Sequence, residues 1–299
     1  MKVAIIDLGT NTFHLLIAET GDKEPQIIYK TNEPVKLGED ITKENLIIPA
    51  AFKRGIDCLI GFKAIIDQYA VDLVKAVATS GARSAKNGQQ FVNTAKNETG
   101  IVIDIIDGNK EAEYIYRGVK WSGAISNGSL LMDIGGGSTE FILCDEEKLF
   151  WKKSYPIGAA RLMQTFFKSD PISDIDKEAI LQYLDHQLTE LIAICKFHQP
   201  KTLIGSAGAF ETFAGMINPG LNFQEISQEP IALNAYTQLS ETLIKASHNE
   251  REKMDGLVPL RVDMIVMACL LTNYVIEKLA IQELKLSTYD LKMGVLAGG

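Results

Sequence analysis

Short apolar runs separated by turn residues open the chain. The segment "VAIID" at 3–7 predicts a strand, "LGTNT" a turn, and "FHLLIAE" at 13–19 a second strand. A third strand is predicted near "QIIYKT" at 26–31, which makes an antiparallel meander. The same plan returns with "SLLMD", "IGGGST" and "EFILCD" between 129 and 145, followed by the strand "KLFWKKSYP". The pattern therefore predicts two hairpins of one design.

The spacing of later elements suggests an internal duplication. Placing Asp7 on Asp133 also aligns the turn "TSGAR" with the turn "SAGAF" further along the chain. Each of these turns follows a predicted helix, at 49–69 and 175–197, and a short apolar strand, "VKAVA" or "KTLIG". Because a true duplication keeps its register through more than one element, we interpret the chain as two related halves.

Both halves continue with alternating strands and helices. "GIVIDIID" predicts a strand before a helix at 110–121, and "ELKLST" predicts a strand before the C-terminal helix. Small turn residues concentrate in "SGAISNGS" at 122–129, which predicts the boundary between the halves. We expect an N-terminal domain at 1–124, joined by the helix at 287–299, and a second domain at 125–286.

Composition narrows the class of protein. A chain of 299 residues with 46% hydrophobic residues can bury a large core, and its net charge of -8 disfavours nucleic acid or anionic membranes as partners. The four cysteines form no CxxC or Cys/His spacing, so neither a disulfide framework nor a zinc site is predicted. The apolar segment at 264–276 is too short to cross a bilayer, and the N-terminus lacks a signal-peptide pattern. We expect a cytoplasmic protein.

The paired hairpin turns resemble those of the actin, sugar kinase and heat-shock ATPase superfamily, which grip phosphates from both sides of an interdomain cleft. Glycines suit this role because they allow positive φ and expose backbone N–H groups to an anion. Asp7 and Asp133 would repel phosphate, which suggests a magnesium ion between carboxylate and phosphate oxygens. The alternative is a purely structural role, in which the glycines form a tight hairpin and Asp133 caps the turn. Neither GxxxxGK[ST] nor GxGxxG occurs in the chain.

Over its whole length the chain resembles the exopolyphosphatase/guanosine pentaphosphate phosphohydrolase (Ppx/GppA) family, in a short two-domain form. The segments that carry the resemblance are "DLGTNTFHLLIAE", "VATSGARSAKNGQQF", "IIDGNKEAEYIYRGV", "LLMDIGGGSTEF", "GSAGAFE" and "LKLSTYDLKMGVL". The resemblance implies an α/β fold with two duplicated ribonuclease H-like domains of the actin superfamily and a cleft between them. It implies hydrolysis of the terminal phosphoanhydride of inorganic polyphosphate, or of the 5′ phosphate of guanosine pentaphosphate.

The resemblance also assigns roles to residues. It makes Glu111 the catalytic base, although a first-turn glutamate can equally serve the helix dipole. It places Glu140 beside the metal or the attacking water, with Asp7 and Asp133 as further metal ligands. Where many family members have an acidic residue before the base, this chain has Lys110. The residues expected to bind substrate phosphates are Asn11, Thr12, Arg83, Gly136, Gly137, Ser138, Thr139, Gly205, Ser206, Ala207 and Gly208.

Two alternatives remain open from the sequence. An ATP-dependent small-molecule kinase of the same superfamily would share the turns but would need a nucleoside pocket and a base for an acceptor hydroxyl. A non-enzymatic actin-like scaffold would keep the fold without the reaction. The family also leads us to expect a homodimer, while His14, on a strand between apolar neighbours, is predicted to be a packed core residue.

Overall fold

The structure is a computed structural model that describes residues 1–21, 25–206 and 208–298. Its strands are β1 (Lys2–Leu8), β2 (Phe13–Glu19), β3 (Gln26–Glu33), β4 (Leu73–Ala78), β5 (Ile103–Ile105), β6 (Ser129–Ile134), β7 (Thr139–Cys144), β8 (Leu149–Tyr155), β9 (Thr202–Ser206), β10 (Gln228–Ile231) and β11 (Glu283–Ser287).

The helices are α1 (Ile41–Glu44), α2 (Pro49–Gln68), α3 (Ser80–Arg83), α4 (Gly88–Thr99), α5 (Gly108–Ser122), α6 (Ala159–Phe166), α7 (Asp174–Gln187), α8 (Thr189–His198), α9 (Gly208–Ile217), α10 (Leu233–Lys245), α11 (His248–Arg251), α12 (Met264–Leu279) and α13 (Leu291–Ala297). A 3₁₀ helix lies at Pro259–Arg261.

Two mixed sheets repeat one plan. The first has the strand order β3-β2-β1-β4-β5, and the second has the order β10-β11-β9-β6-β7-β8. In each sheet an antiparallel meander, β1 to β3 or β6 to β8, continues through a parallel strand, β4 or β9. The α/β fold with two related sheets is therefore confirmed.

Two helices occupy the space between the sheets. One buried cluster joins Ile5 of β1, Ile115 of α5 and Val295 of α13 to Leu131 and Ile142 of the second sheet. Each sheet also packs its outer helices around a separate core. The C-terminal helix thus packs against α5 and β1, the neighbours expected for it, while the domain boundaries themselves stay a prediction.

Some elements differ from the sequence prediction. The single helix predicted at 175–197 is divided at Leu188 into α7 and α8, and the Thr189 hydroxyl donates there to the carbonyls of Asp185 and His186. The strand predicted at 100–107 keeps three residues, because only Ile103–Ile105 pairs with β4. Gly208, Ala209 and Phe210, predicted to lie in the turn "SAGAF", instead begin the ten-residue helix α9. Within the described ranges, no helix has both the length and the apolar composition needed to span a bilayer.

Candidate active site

The two hairpin turns have the same backbone geometry. The Gly9 N–H donates to the Thr12 carbonyl at 3.1 Å, and the Gly135 N–H donates to the Ser138 carbonyl at 3.0 Å. Each turn follows a strand that ends near a carboxylate, Asp7 in β1 or Asp133 in β6. The duplication inferred from the sequence therefore extends to the hydrogen bond that closes each turn.

The turns face each other at contact distance. A Cβ added to Gly136 would lie 3.0 Å from the side chain of Asn11, and one added to Gly137 would lie 2.6 Å from the Ser80 hydroxyl and 2.8 Å from the Thr10 hydroxyl. Only residues without a Cβ fit between the two halves in this arrangement. The structure therefore shows the cleft with its two turns closed upon one another.

A cavity of about 590 Å³ lies between the two sheets, beside the turns. Its walls come from both halves of the chain, so a ligand inside it touches both. Of the residues predicted from the sequence, those that line it are Asp7, Asn11, Thr12, Glu111, Asp133, Gly136, Gly137, Ser138, Glu140 and Gly208.

Glu111 enters the cavity from the first turn of α5. The Asp107 side chain caps this helix by accepting hydrogen bonds from the backbone of Asn109 and Lys110. Only 6% of Glu111 is exposed, and burial raises its pKa well above the ordinary range, with further increases from Glu140 and Asp7. A carboxylate that holds its proton more tightly than usual is suited to accept one from water.

Arg83 holds this carboxylate in place. Its Nη1 donates to Glu111 Oε2 at 2.7 Å and to the Ile106 carbonyl at 3.0 Å. The guanidinium opposes the effect of burial on the pKa of Glu111. Arg83 does not line the cavity, so it contacts Glu111 from outside the cavity.

Among the other carboxylates that line the cavity are those of Asp7, Asp133 and Glu140. Asp133 and Glu140 are register partners in β6 and β7, and Glu140 accepts a hydrogen bond from the Ser154 hydroxyl at 2.6 Å. Burial raises the pKa of Asp7 to about 6, opposed by Lys292. Burial and the neighbouring carboxylates raise the pKa of Asp133 to about 8 and that of Glu140 to about 7. Near neutral pH these carboxyls are therefore only partly ionised, because burial and the neighbouring carboxylates disfavour the charged form.

The carboxylates fit a hard cation by their chemistry. Crowded oxygen ligands with raised pKa values are stabilised when a divalent cation sits between them. No three Asp, Glu, His or Cys side chains in the described part of the chain converge closely enough to chelate a metal by themselves. The arrangement suits magnesium, which usually binds one or two carboxylates and completes its shell with water and phosphate oxygens.

The structure adds a buried ion pair that sequence reasoning missed. Lys292 donates to Asp290 at the start of α13, and both residues line the cavity. Burial alone would lower the pKa of Lys292, but Asp290 and Asp7 raise it above its usual value, so the ammonium remains charged. The available signal was the pair of charges in the otherwise apolar end "DLKMGVLAGG". Lys30, Glu211 and Arg261 bring further charges to the same cavity.

Thr139, Gly205 and Ser206, also predicted to bind substrate, do not line the cavity. The Thr139 hydroxyl is buried and donates to the Ile157 carbonyl at 3.1 Å. Gly205 packs under the Phe210 ring, which a Cβ would meet at 1.9 Å. The buried Ser206 hydroxyl lies close enough to Asp133 to lower its pKa, but it forms no well-oriented hydrogen bond. Ala207 lies outside the described residues.

His14, predicted to be a core residue, also lines the cavity. It is the register partner of Asp7, as Glu140 is of Asp133, and it is only half-buried. Burial, followed by the Lys292 charge, lowers its pKa well below the ordinary value. His14 is therefore a neutral polar group of the cavity wall.

Comparison with known proteins gives a consistent result. Residues 16–298 match the profile of the Ppx/GppA phosphatase family. A Haemophilus influenzae protein whose name assigns it provisionally as an exopolyphosphatase is 28% identical over 99% of this chain and 90% of its own length. The guanosine-5′-triphosphate,3′-diphosphate pyrophosphatase of Vibrio vulnificus is 27% identical over 98% of this chain, which spans only 58% of that relative.

Solved structures agree with this match. The crystal structure of an exopolyphosphatase from Cytophaga hutchinsonii is 35% identical and superposes with a TM-score of 0.96, covering 99% of this chain and 97% of that one. A structure of the Aquifex aeolicus Ppx/GppA enzyme is 27% identical, with a TM-score of 0.82 and coverage of 100% and 99%. The fold expected from the sequence, with two related α/β domains and a cleft, is thereby confirmed.

Proposed function

Because this chain belongs to the Ppx/GppA phosphatase family, we propose that it hydrolyses terminal phosphoanhydride bonds of inorganic polyphosphate and releases orthophosphate. Guanosine pentaphosphate, from which it would remove the 5′ phosphate, is the other substrate that the named relatives support. The observation that carries the proposal is the buried Glu111, held by Arg83 and facing two glycine turns across one cavity.

The proposed reaction begins with the terminal phosphate between the turns. Backbone N–H groups near Gly136 and Gly137, with the Ser138 hydroxyl and the side chains of Asn11 and Thr12, would bind its oxygens. The same turns need to separate for the substrate to enter, since they touch in the closed arrangement. Closure then excludes bulk water from the reaction.

Glu111 is the proposed general base. It would orient a water molecule and accept its proton as the water oxygen bonds to the terminal phosphorus. The bond from that phosphorus to the bridging oxygen breaks, and the shortened chain leaves with its electron pair. Arg83 acts through Glu111 by fixing its rotamer and favouring the ionised form of the carboxylate.

Magnesium is the proposed cofactor, with one or two of Asp7, Asp133 and Glu140 as direct ligands and the others acting through bound water. When bound, it would neutralise charge on the phosphate oxygens and reduce repulsion among the carboxylates. The four cysteines are all unpaired, which supports a reducing compartment such as the cytoplasm. A homodimer stays a prediction.

Phosphate release measured with magnesium tests the proposal directly. Wild type and Glu111→Gln are offered medium-length polyphosphate, guanosine pentaphosphate and ATP in separate reactions. We expect release from one of the first two, reduced by about a hundredfold or more in the variant. Release from none of the substrates would reject the hydrolase and favour a kinase, which requires an organic acceptor.

A further inference from the structure

Three cations converge on one carboxylate where α5 lies against β8. Glu113 pairs with Arg117 at 2.5 Å, with Lys152 at 3.3 Å and with Lys110 at 3.8 Å. Across the ranges that the structure describes, no other carboxylate pairs with three cations. We call Lys110, Arg117 and Lys152 the α5/β8 cation cluster. It holds more positive than negative charge, in a chain whose net charge is -8.

One further carboxylate, Asp107, lies near the cluster without pairing to it. Its Oδ1 accepts hydrogen bonds from the backbone of Asn109 at 2.8 Å and of Lys110 at 2.9 Å. These hydrogen bonds hold the pKa of Asp107 below its ordinary value, and the bond from Lys110 has the larger effect. The charges of Arg83 and Lys152 lower the pKa further. Even with Asp107 counted, the cluster keeps a positive excess, to which the positive end of the α5 dipole adds.

The cluster begins directly outside the reaction centre. Lys152 and Ser154 share one face of β8, about 7 Å apart along the strand. The Ser154 hydroxyl donates to Glu140 at 2.6 Å. A Cβ on Gly108 would lie 2.3 Å from the Ser154 Cβ and 3.7 Å from Arg83 Nη2.

The cluster lies outside the cavity, close to the carboxylates of the reaction centre. Glu111 and Glu140 line the cavity, whereas Arg83, Ser154 and the three cations do not. Arg83 therefore separates the carboxylates of the reaction centre from the cations outside. The cations are half-exposed, with side chains 41% (Lys110), 39% (Arg117) and 25% (Lys152) accessible, so they can reach an anion without rearranging the fold.

We propose that the α5/β8 cation cluster is a second phosphate-binding site, reached from the reaction centre past Arg83. The proposal rests on the proposed function, because the phosphate it concerns is a product or a substrate group of the reaction proposed at Glu111. A phosphate group there has two possible sources: orthophosphate released by the reaction, or another phosphate of the substrate chain. In either case the anion exchanges with Glu113 for the same cations.

Inorganic phosphate is the first probe, titrated by calorimetry into wild type and into Lys110→Gln/Lys152→Gln. Wild type is expected to bind two phosphates, and the double variant is expected to weaken one of them by about fivefold for each lysine removed. Lys53→Gln/Lys63→Gln is the matched control, because these lysines pair with single carboxylates one turn away on α2. It should leave both affinities unchanged. This readout needs no turnover, so it stands apart from the test of the hydrolase.

Glu113→Gln gives a prediction of the opposite sign. It removes the competing carboxylate and frees the three cations, so phosphate should bind more tightly at the second site. Thermal unfolding of each variant verifies that it folds. If the double variant does not fold, Glu113→Gln and the single variant Lys110→Gln still decide the question.

Kinetics with tripolyphosphate and with long-chain polyphosphate separate the two sources. A site for released product predicts that the double variant raises the inhibition constant of added orthophosphate by about fivefold or more for both substrates. A site for the chain predicts a higher KM for the long substrate and an unchanged KM for tripolyphosphate. If folded variants leave phosphate binding, product inhibition and both KM values unchanged, the cluster only braces α5 against β8 and the proposal is wrong.

Discussion

Arg83 and Glu111 are joined by a hydrogen bond of 2.7 Å although they belong to different helices, α3 and α5. The bond exists because β4 and β5 run parallel, which brings the helices that follow them to the same edge of the sheet. Arg83 also donates to Ile106, so its position is set by the backbone between β5 and α5. The relative positions of Glu111 and Arg83 are thus fixed by the sheet.

Replacing Arg83 should shift the acid limb of the pH profile of activity to higher pH. Burial is the main cause of the raised pKa of Glu111, and Arg83 opposes it. Arg83→Met removes that opposition, so the pKa rises further and Glu111 ionises only at higher pH. We expect about a tenfold loss at neutral pH that is partly recovered at higher pH, with partial rescue by Arg83→Lys. The pH profile of kcat/KM at saturating magnesium measures this; an unmoved acid limb would contradict the role.

Without divalent cation, stability should fall as pH rises from about 4 to about 8. Burial raises the pKa of Asp7 to about 6 and that of Asp133 to about 8, so the folded state binds more protons than the unfolded state. Stability from these groups is therefore greatest at low pH and is lost as pH rises through the folded pKa values. Thermal unfolding at several pH values, with and without magnesium, tests this. Magnesium should flatten the decline, and an equally steep decline with magnesium would argue against a cation at this site.

Asp133→Asn should have opposite effects on thermal stability and on activity. The amide cannot ionise, so the variant should melt at least about 2 °C higher than wild type at pH 8 without magnesium. The same variant should lose most of its phosphate release, because a proposed metal ligand is gone. A variant that melts lower than wild type under these conditions would show that Asp133 is ionised and stabilising in the folded protein.

Closure of the cleft depends on Gly137. Alanine there would place its Cβ 2.6 Å from the Ser80 hydroxyl, across the contact between the two turns. Gly137→Ala should keep the turns apart and lower kcat by about tenfold or more, with little change in unfolding temperature. Gly61→Ala is the control, since its added Cβ meets no atom within 4 Å; it should stabilise α2 by about 0.5 to 1 kcal/mol and leave kcat unchanged. Equal kcat in both variants would contradict the closure argument.

Hairpins were the most predictable part of this fold. The strand "FHLLIAE" is observed over the residues predicted, because its short apolar run and the flanking turn residues act locally. The helices α4 and α6 were not predicted, and neither was the division of the long helix at Leu188. Elements whose bounds depend on packing thus escaped the pattern.

The site was predictable where residues lie on the hairpins. Asp133 and Glu140 face the cavity together because they are cross-strand partners. Thr139, adjacent to Glu140 in the same strand, points to the opposite face by simple alternation, which sequence reasoning could have applied. Lys292 and Asp290 reach the cavity only because α13 returns to β1, which no local pattern indicates.

Ser138 and Thr139 should therefore respond differently to mutation. Thr139→Val leaves the buried Ile157 carbonyl without its donor, so it should cost about 1 to 3 kcal/mol of unfolding free energy and largely preserve kcat/KM. Ser138→Ala removes a hydroxyl from the cavity wall and should lower kcat/KM by about tenfold at similar stability. Denaturant unfolding and steady-state kinetics on both variants test the contrast. It fails if Thr139→Val proves the more damaging to activity.

The ion pair of Lys292 and Asp290 should be needed for folding as well as for charge balance. Lys292→Met leaves the buried Asp290 carboxylate unpaired beside Asp7, so we expect a loss of about 3 to 5 kcal/mol in unfolding free energy. The double variant Lys292→Met/Asp290→Asn removes both charges and should recover most of that stability. It should recover less activity than stability, because the lost Lys292 lowers the pKa of Asp7 by more than the lost Asp290 raises it. Recovery of both stability and phosphate release in the double variant would show that the pair has only a structural role.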